Sequence, residues 1–296
     1  MQKTILERVE HVADDVVSLL LRGDEGPLAP WEPGAHIDLA LPNWLTRQYS
    51  LCGDPGDRSA YRIAVRHDPL SRGGSEYVHL FLREGRTLAV SEPRNHFPLR
   101  PAAEYLFLAG GIGITPIVPM LRAAVESGAE ATLVYAGRSR ATMPFAAELV
   151  AAYGDRVRLF PTAETGRPDL AALPRNAEVY CCGPASMVDA AEALFPRVHT
   201  ERFQPTRRVF APDTPFEVVC ARSGETLQVP VDESLLDVLN HRGRPVPSAC
   251  REGVCGSCEI GVLDGEPEHR DDIGAPAGRM YPCVSRACSP RLVLDV

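Results

Sequence analysis

The stretch CREGVCGSCEIGVLDG places Cys250, Cys255 and Cys258 in a C-x4-C-x2-C pattern, and Cys283 follows after 24 intervening residues. Three thiolates on one loop, with a fourth arriving from a distant segment, is the ligand spacing of a plant-type [2Fe–2S] cluster. Gly253 and Gly256 suit a backbone that must wrap closely around inorganic sulfide with its N–H groups turned inward. A structural zinc module would use paired C-x2-C knuckles, and this loop has one such pair. Cys288 is an alternative fourth ligand. Its expected role, like that of Cys52, Cys181, Cys182 and Cys220, is that of a small buried side chain. A cluster of this kind takes one electron at a time, so the rest of the chain has to supply single electrons.

Two upstream motifs can do that with a flavin. In TRQYSL, Arg47 can face a phosphate or the electron-rich flavin edge, Tyr49 can pack against the ring or ribityl chain, and Ser50 can hydrogen-bond N5. In SRGGSEYVH, Arg72, Gly73, Gly74 and Ser75 combine consecutive glycine N–H groups, a guanidinium and a hydroxyl into a phosphate nest. The bland reading is an exposed Arg beside a strand Tyr, common in any barrel. Two further motifs suit a nucleotide. GGIGITP (residues 110 to 116) contributes Gly111, Gly113 and Thr115 between a strand and a helix, with Pro116 expected at the first helical position. YCCGPASM contributes Cys182, Gly183 and Pro184 at a second strand-to-helix turn. Together they make a cleft for nicotinamide and pyrophosphate, whereas separately each glycine pair only ends a strand. Arg138, Ser139 and Arg140 of YAGRSR stand where an adenosine ribose would lie and can bind a 2′-phosphate; the alternative is a solvated turn.

The elements that must position these groups fall into three segments. With 296 residues the chain exceeds the comfortable size of one core. HIDLAL, RQYSL, YRIAVRH and TLAVSEP read as short alternating strands of an antiparallel β-barrel over residues 1–100. EYLFLAG, ATLVYAG, RVRLF and AEVYCCG alternate with helical stretches, the pattern of an α/β parallel-sheet nucleotide domain over 101–205. FQPTRRVFAPDTP, residues 203 to 215, lacks periodicity and reads as a linker. Residues 206–296 then form an α+β ferredoxin-like domain, with a short helix capped by Asp232 and stopped by Gly243. From residue 209 onward there are 14 Asp and Glu against 8 Arg and no Lys, most of the chain's net charge of −8. An acidic carboxyl-terminal portion disfavours nucleic acid and suits a basic protein surface. No apolar run approaches a membrane span and the amino terminus is charged, so the expectation is a cytoplasmic protein without a membrane segment.

The order R-x-Y-S, R-G-G-S, G-G-I-G-I-T-P, C-G-P and C-x4-C-x2-C…C resembles the phthalate dioxygenase reductase family, including the reductase components of vanillate demethylase, over essentially the whole chain. The resemblance implies FMN as the flavin, NADH as donor and a terminal oxygenase as acceptor, either a Rieske oxygenase or a cytochrome P450. It implies flavin contacts from Arg47, Tyr49, Ser50, Ala64, Val65, Gly73, Gly74 and Ser75, and nicotinamide-side contacts from Gly111, Thr115, Cys182, Gly183 and Pro184. Ser50, Thr115 and Cys182 would shape the site of hydride transfer. Phe203 matches the aromatic that covers the flavin ring in these reductases, though on sequence alone it is equally a packing residue. The expected protein is a monomeric electron-transfer reductase. Two alternatives stay open: an iron–sulfur flavoprotein subunit of another redox complex, and a redox-sensing nucleotide-binding protein.

Overall fold

The computed structural model describes residues 1–206 and 208–296. The chain forms two compact units, Met1–Phe203 and Gln204–Val296.

The first unit begins with an antiparallel sheet of β1 (Gln2–Ala13), β2 (Val16–Gly23), β3 (His36–Ala40), β4 (Thr46–Ser50), β5 (Ala60–Arg66) and, after helix α1 (Gly74–Phe81), β6 (Thr87–Val90). The strand order is β4-β3-β6-β1-β2-β5. An antiparallel bridge between Leu51 and Ile63, extended by the Cys52 N–H on the Arg62 carbonyl at 2.9 Å, joins the two outermost strands and closes the sheet into a barrel. Alternation along the strands sends Leu6, Leu19, Leu21, Ile37, Leu39, Tyr61 and Ile63 inward, all fully buried. The Tyr61 hydroxyl, which a barrel core would otherwise leave unpaired, donates to the Ala29 carbonyl at 2.6 Å.

The second sheet is parallel: β7 (Glu104–Gly110), α2 (Ile114–Glu126), β8 (Glu130–Gly137), α3 (Ala146–Tyr153), β9 (Val157–Pro161), α4 (Thr162–Thr165), β10 (Glu178–Cys182), α5 (Ala185–Leu194) and β11 (His199–Glu201). The order β11-β10-β7-β8-β9 puts the topological switch between β7 and β10, where open α/β sheets bind ligands. Both faces are covered. Phe107, Leu133, Tyr135 and Cys182 meet α2, and Leu106, Leu108, Val179 and Cys181 meet α5. This two-sided burial explains the continuous apolar runs in the sequence. A single 3-10 turn at Gly111–Gly113 precedes α2, so Pro116 occupies the third helical position, not the first; its missing N–H is still among those that have no partner inside the helix.

The second unit holds β12 (Phe216–Cys220), β13 (Glu225–Val229), α6 (Leu235–His241), β14 (Ile260–Asp264), β15 (Pro267–Glu268), β16 (Arg279–Met280), β17 (Arg286–Ala287) and β18 (Arg291–Leu294). A mixed sheet, β13-β12-β18-β14-β16, packs with α6 around Val218, Val229, Leu235, Leu239, Met280 and Leu292; β15 and β17 form a separate ribbon. The cap of α6 is Ser234, whose Oγ accepts the Asp237 N–H at 3.1 Å, in place of the expected Asp232. Ser234 wins because the helix begins at Leu235, two residues later than the sequence reading placed it. Gly243, at φ 71°, ends it as expected. Among the described residues no helix is long and apolar enough to cross a membrane.

Candidate functional site

In the second unit the four expected ligands converge in two pairs. The Cys250 and Cys255 thiols are in hydrogen-bonding contact with each other, and so are those of Cys258 and Cys283. The bond from Cys250 draws the Cys255 thiol below its ordinary range, with Ser257 assisting, while the bond to Cys258 raises Cys283. Each pair therefore brings two sulfurs within hydrogen-bonding reach, where one iron would bind two thiolates. Two sulfurs and two sulfurs is the arrangement a two-iron cluster requires, one pair to each iron. The loop backbone serves the sulfurs directly. The Glu252 N–H points at Cys250 Sγ at 3.3 Å and the Ser257 N–H at Cys255 Sγ at 3.5 Å. Gly253 is demanded twice over, by φ 72° and because a Cβ there would lie 2.7 Å from Val284 Cγ2 and 3.0 Å from Asp271 Cα. Cys288 is exposed, on the turn after β17, against the expectation of burial. Its N–H on the Glu266 carbonyl holds that turn at the surface. Cys52, Cys181, Cys182 and Cys220 are buried.

In the first unit, β4 and the start of α1 bring the flavin candidates together. Arg47 Nη2 donates to the Arg72 carbonyl at 3.2 Å, and its side chain lies so close over Gly74 that a Cβ there would be 2.7 Å from Arg47 Cγ. Gly73 takes φ 83° to start the helix. The result is a glycine-floored cradle beneath a guanidinium, the donor set an anionic phosphate requires. Ser75 Oγ contacts Ser71 Oγ at 3.0 Å and accepts the Asp68 N–H at 3.1 Å, which holds the preceding loop against α1. Tyr49 packs on the barrel core, and burial raises its phenol. Ala64 and Val65 are buried in β5. The Val65 side chain belongs to the barrel core and its carbonyl contacts His79 Nε2 at 2.9 Å.

The nucleotide candidates lie at the carboxyl edge of the parallel sheet, around a cavity of about 670 Å³. Gly111, Arg138 and Pro184 line it, together with Asp15, Arg66, Thr162 and Asp169. Behind that lining, β7 and β10 approach so closely that a Cβ on Gly113 would lie 2.3 Å from the Cys182 carbonyl oxygen, and one on Gly110 2.5 Å from Pro184 Cδ. Thr115 is buried and donates to the Ile112 carbonyl at 2.9 Å, fixing the turn. Burial pushes the Cys182 thiol far above its ordinary range, which makes it a neutral group. Of the three residues of GRSR, Ser139 is tied to Thr142 in a capping box and Arg140 pairs with Glu164 at 3.5 Å, while Arg138 faces the cavity. Phe203 stands 40% exposed at the end of the first unit.

Glu201 was not singled out in the sequence. It ends β11 directly beside Cys182 on β10, and its carboxyl hydrogen-bonds Ser50 of the barrel. Burial raises that carboxyl to about 8, partly offset by the Ser50 bond, and its Oε2 is sealed from solvent with no hydrogen-bond partner. Ser50, Cys182 and Glu201 thus meet where the barrel and the parallel sheet join. The available signal was position alone: Glu201 lies two residues before Phe203 in the ERF triplet.

Residues 218–288 match the 2Fe-2S iron-sulfur cluster binding domain family and residues 107–193 the oxidoreductase NAD-binding domain family. The structure of phthalate dioxygenase reductase superposes with a TM-score of 0.74 at 35% identity, covering 99% of this chain and 97% of that one. The chain belongs to the phthalate dioxygenase reductase-like family. Another member, a toluene-4-sulfonate monooxygenase system reductase subunit of Comamonas testosteroni, described as putative by name, is 42% identical over 97% of this chain and 96% of its own length. An intact type IV self-sufficient cytochrome P450 monooxygenase contains the same fold at a TM-score of 0.90 and 40% identity; this chain spans all of its own length but 41% of that longer protein. As a family member the chain is an NADH-dependent electron-transfer reductase of an oxygenase system, with FMN and a [2Fe–2S] cluster as cofactors.

Proposed function

We propose that this reductase draws electrons from NADH through FMN held in the cradle of Arg47 and residues 72–75, and delivers them through a cluster on Cys250, Cys255, Cys258 and Cys283 to a separate terminal oxygenase, a Rieske oxygenase or a cytochrome P450. Residues 1–100, 101–205 and 206–296 serve as flavin, nucleotide and cluster domains. When bound, the flavin accepts a hydride and gives up electrons singly, which joins a two-electron donor to a one-electron cluster. The observation that carries the reading is the convergence of four cysteines in two thiol pairs.

The chain's own groups orient and screen. Burial keeps the Glu201 carboxyl protonated near neutral pH, so a flavin held against Ser50 would meet no carboxylate charge on that wall. Cys182, a neutral thiol, fills space without presenting a nucleophile. Gly111, Gly113 and the start of α2 would receive the pyrophosphate. Engagement of Ser139 and Arg140 with Thr142 and Glu164 supports NADH over NADPH, because two of the three groups suited to a 2′-phosphate already have partners. The acceptor presents a basic face to the acidic second unit, and the reductase works as a cytoplasmic monomer.

The test is a cuvette assay. NADH oxidation with ferricyanide reads the flavin, and reduction of cytochrome c reads the cluster. In Cys250→Ser the first stays near the parent rate and the second is abolished. Equal loss of both activities refutes the division of labour, and no NADH oxidation with either acceptor favours a sensor.

A further inference from the structure

The segment that joins the two units reads in the sequence as a free tether. In the structure most of it is fastened to the cluster-bearing unit. The Thr206 N–H donates to Asp272 Oδ2 at 2.6 Å, Arg208 Nη2 donates to Asp272 Oδ1 at 2.6 Å, and Arg208 Nη1 reaches the Asp271 carbonyl at 3.3 Å. Further along, Arg270 bonds Asp213 Oδ1 at 2.8 Å and lies over the Phe210 ring at 4.6 Å, and Arg286 holds the Thr214 carbonyl at 3.1 Å. These are not loose surface pairs. The side chains of Asp272, Arg270 and Arg286 keep 7, 12 and 8% of their exposure, so loss of Arg208 leaves the Asp272 carboxylate with little access to water, while Arg270 keeps Glu268 at 2.6 Å when Asp213 is removed.

The fastening also leads to the cluster loop. The Asp272 N–H donates to the Gly253 carbonyl at 3.0 Å, and Gly253 lies between Cys250 and Cys255. On the other side of the joint, Arg202 is fixed in the first unit by Asp189 at 2.7 Å and Glu192 at 2.8 Å. Only residues 203–205 lie between the two sets of anchors.

We infer that Arg208, Asp213, Arg270 and Asp272 are positioning residues for electron delivery: they strap Thr206 and residues 208–214 to the cluster unit and confine the pivot between the units to 203–205. The inference rests on the flavin-to-cluster reading above. A three-residue pivot keeps the cluster at a much higher effective concentration near the flavin than a tether of thirteen residues, 203–215. Effective concentration falls roughly as the −3/2 power of tether length, so full release of the strap lowers it about ninefold.

The experiment uses full-length holoprotein carrying Arg208→Gln together with Asp213→Asn, with Arg208→Lys as the conservative control. Three quantities are read: hydrogen–deuterium exchange of residues 204–214, iron per chain, and the single-turnover rate of cluster bleaching after an NADH pulse. The expected result is exchange at least tenfold faster in 206–214, unchanged exchange in 250–258, full iron content, and cluster reduction slowed by up to about ninefold; Arg208→Lys stays within twofold of the parent. The inference is overturned if the parent's 206–214 segment already exchanges like free peptide, or if exchange accelerates while the cluster bleaches at the parent rate. Failure of NADH to reduce the flavin in the parent strikes instead at the underlying reading, and leaves the exchange result standing.

Discussion

Replacing Glu201 with Gln removes a proton that the folded protein holds and the unfolded chain releases. The carboxyl is raised to about 8 from an ordinary 4.5, mainly by burial. For an acid raised in this direction, stability is fullest below pH 4.5 and is lost as pH climbs toward 8, because unfolding frees the group to ionise. At about 1.4 kcal/mol per pH unit, less the partial ionisation near the upper end, the loss from this one group between pH 5.5 and 8 is about 3 kcal/mol. Gln has nearly the same shape as the protonated acid and can still accept the Ser50 bond, so its stability lacks that slope. Both tryptophans, Trp31 and Trp44, lie in the first unit, so their fluorescence reports its unfolding in urea within the whole chain. Glu201→Gln is expected to match the parent near pH 5.5, within about 1.5 kcal/mol, and to exceed it by about 3 kcal/mol more at pH 8. A stability difference that stays constant with pH would refute the buried-proton account. The same variant is expected to flatten the fall in NADH-driven flavin reduction as pH passes 8.

Three other outcomes follow from contacts described above. Gly74→Ala sets a methyl 2.7 Å from Arg47, so the guanidinium must swing away from the cradle, and equilibrium titration with FMN is expected to show at least tenfold weaker binding with little change in cluster content. Gly253→Ala meets both a positive φ and Val284, and purified protein is expected to hold less than half the parent's iron while keeping its flavin. Arg138→Leu is expected to change kcat/KM for NADH by less than threefold and to abolish whatever slow turnover NADPH supports; a tenfold loss with NADH would show that Arg138 serves the shared part of the two nucleotides.

The chemistry was legible where residue type and short-range spacing carry it. The cysteine pattern, the glycine pairs at two strand ends and the Arg–Gly–Gly–Ser run each need particular atoms within a few residues of one another, and the structure brings them together accordingly. The parallel sheet was legible because two-sided burial writes unbroken apolar runs such as EYLFLAG. Glu201 was hidden because its meaning lies in Ser50, about 150 residues away, and in a desolvation that no local pattern encodes. The strap was hidden for a similar reason. Proline and arginine in residues 203 to 215 look alike whether solvated or paired, and the partners of Arg208, Asp213 and Thr214 come from Asp272, Arg270 and Arg286, more than fifty residues away. Cys288 and the α6 cap were misplaced by one local choice each, the side of a turn and the first residue of a helix.

The bridge between Leu51 and Ile63 closes the barrel one residue beyond Ser50. The Ser50 side chain is therefore set beside the seam of a continuous hydrogen-bonded cylinder, and its backbone inherits stiffness from the whole ring of strands instead of from a surface loop. Because the seam is made of backbone bonds, a substitution of the Ser50 side chain can change its hydrogen bond to Glu201 while the hoop stays closed.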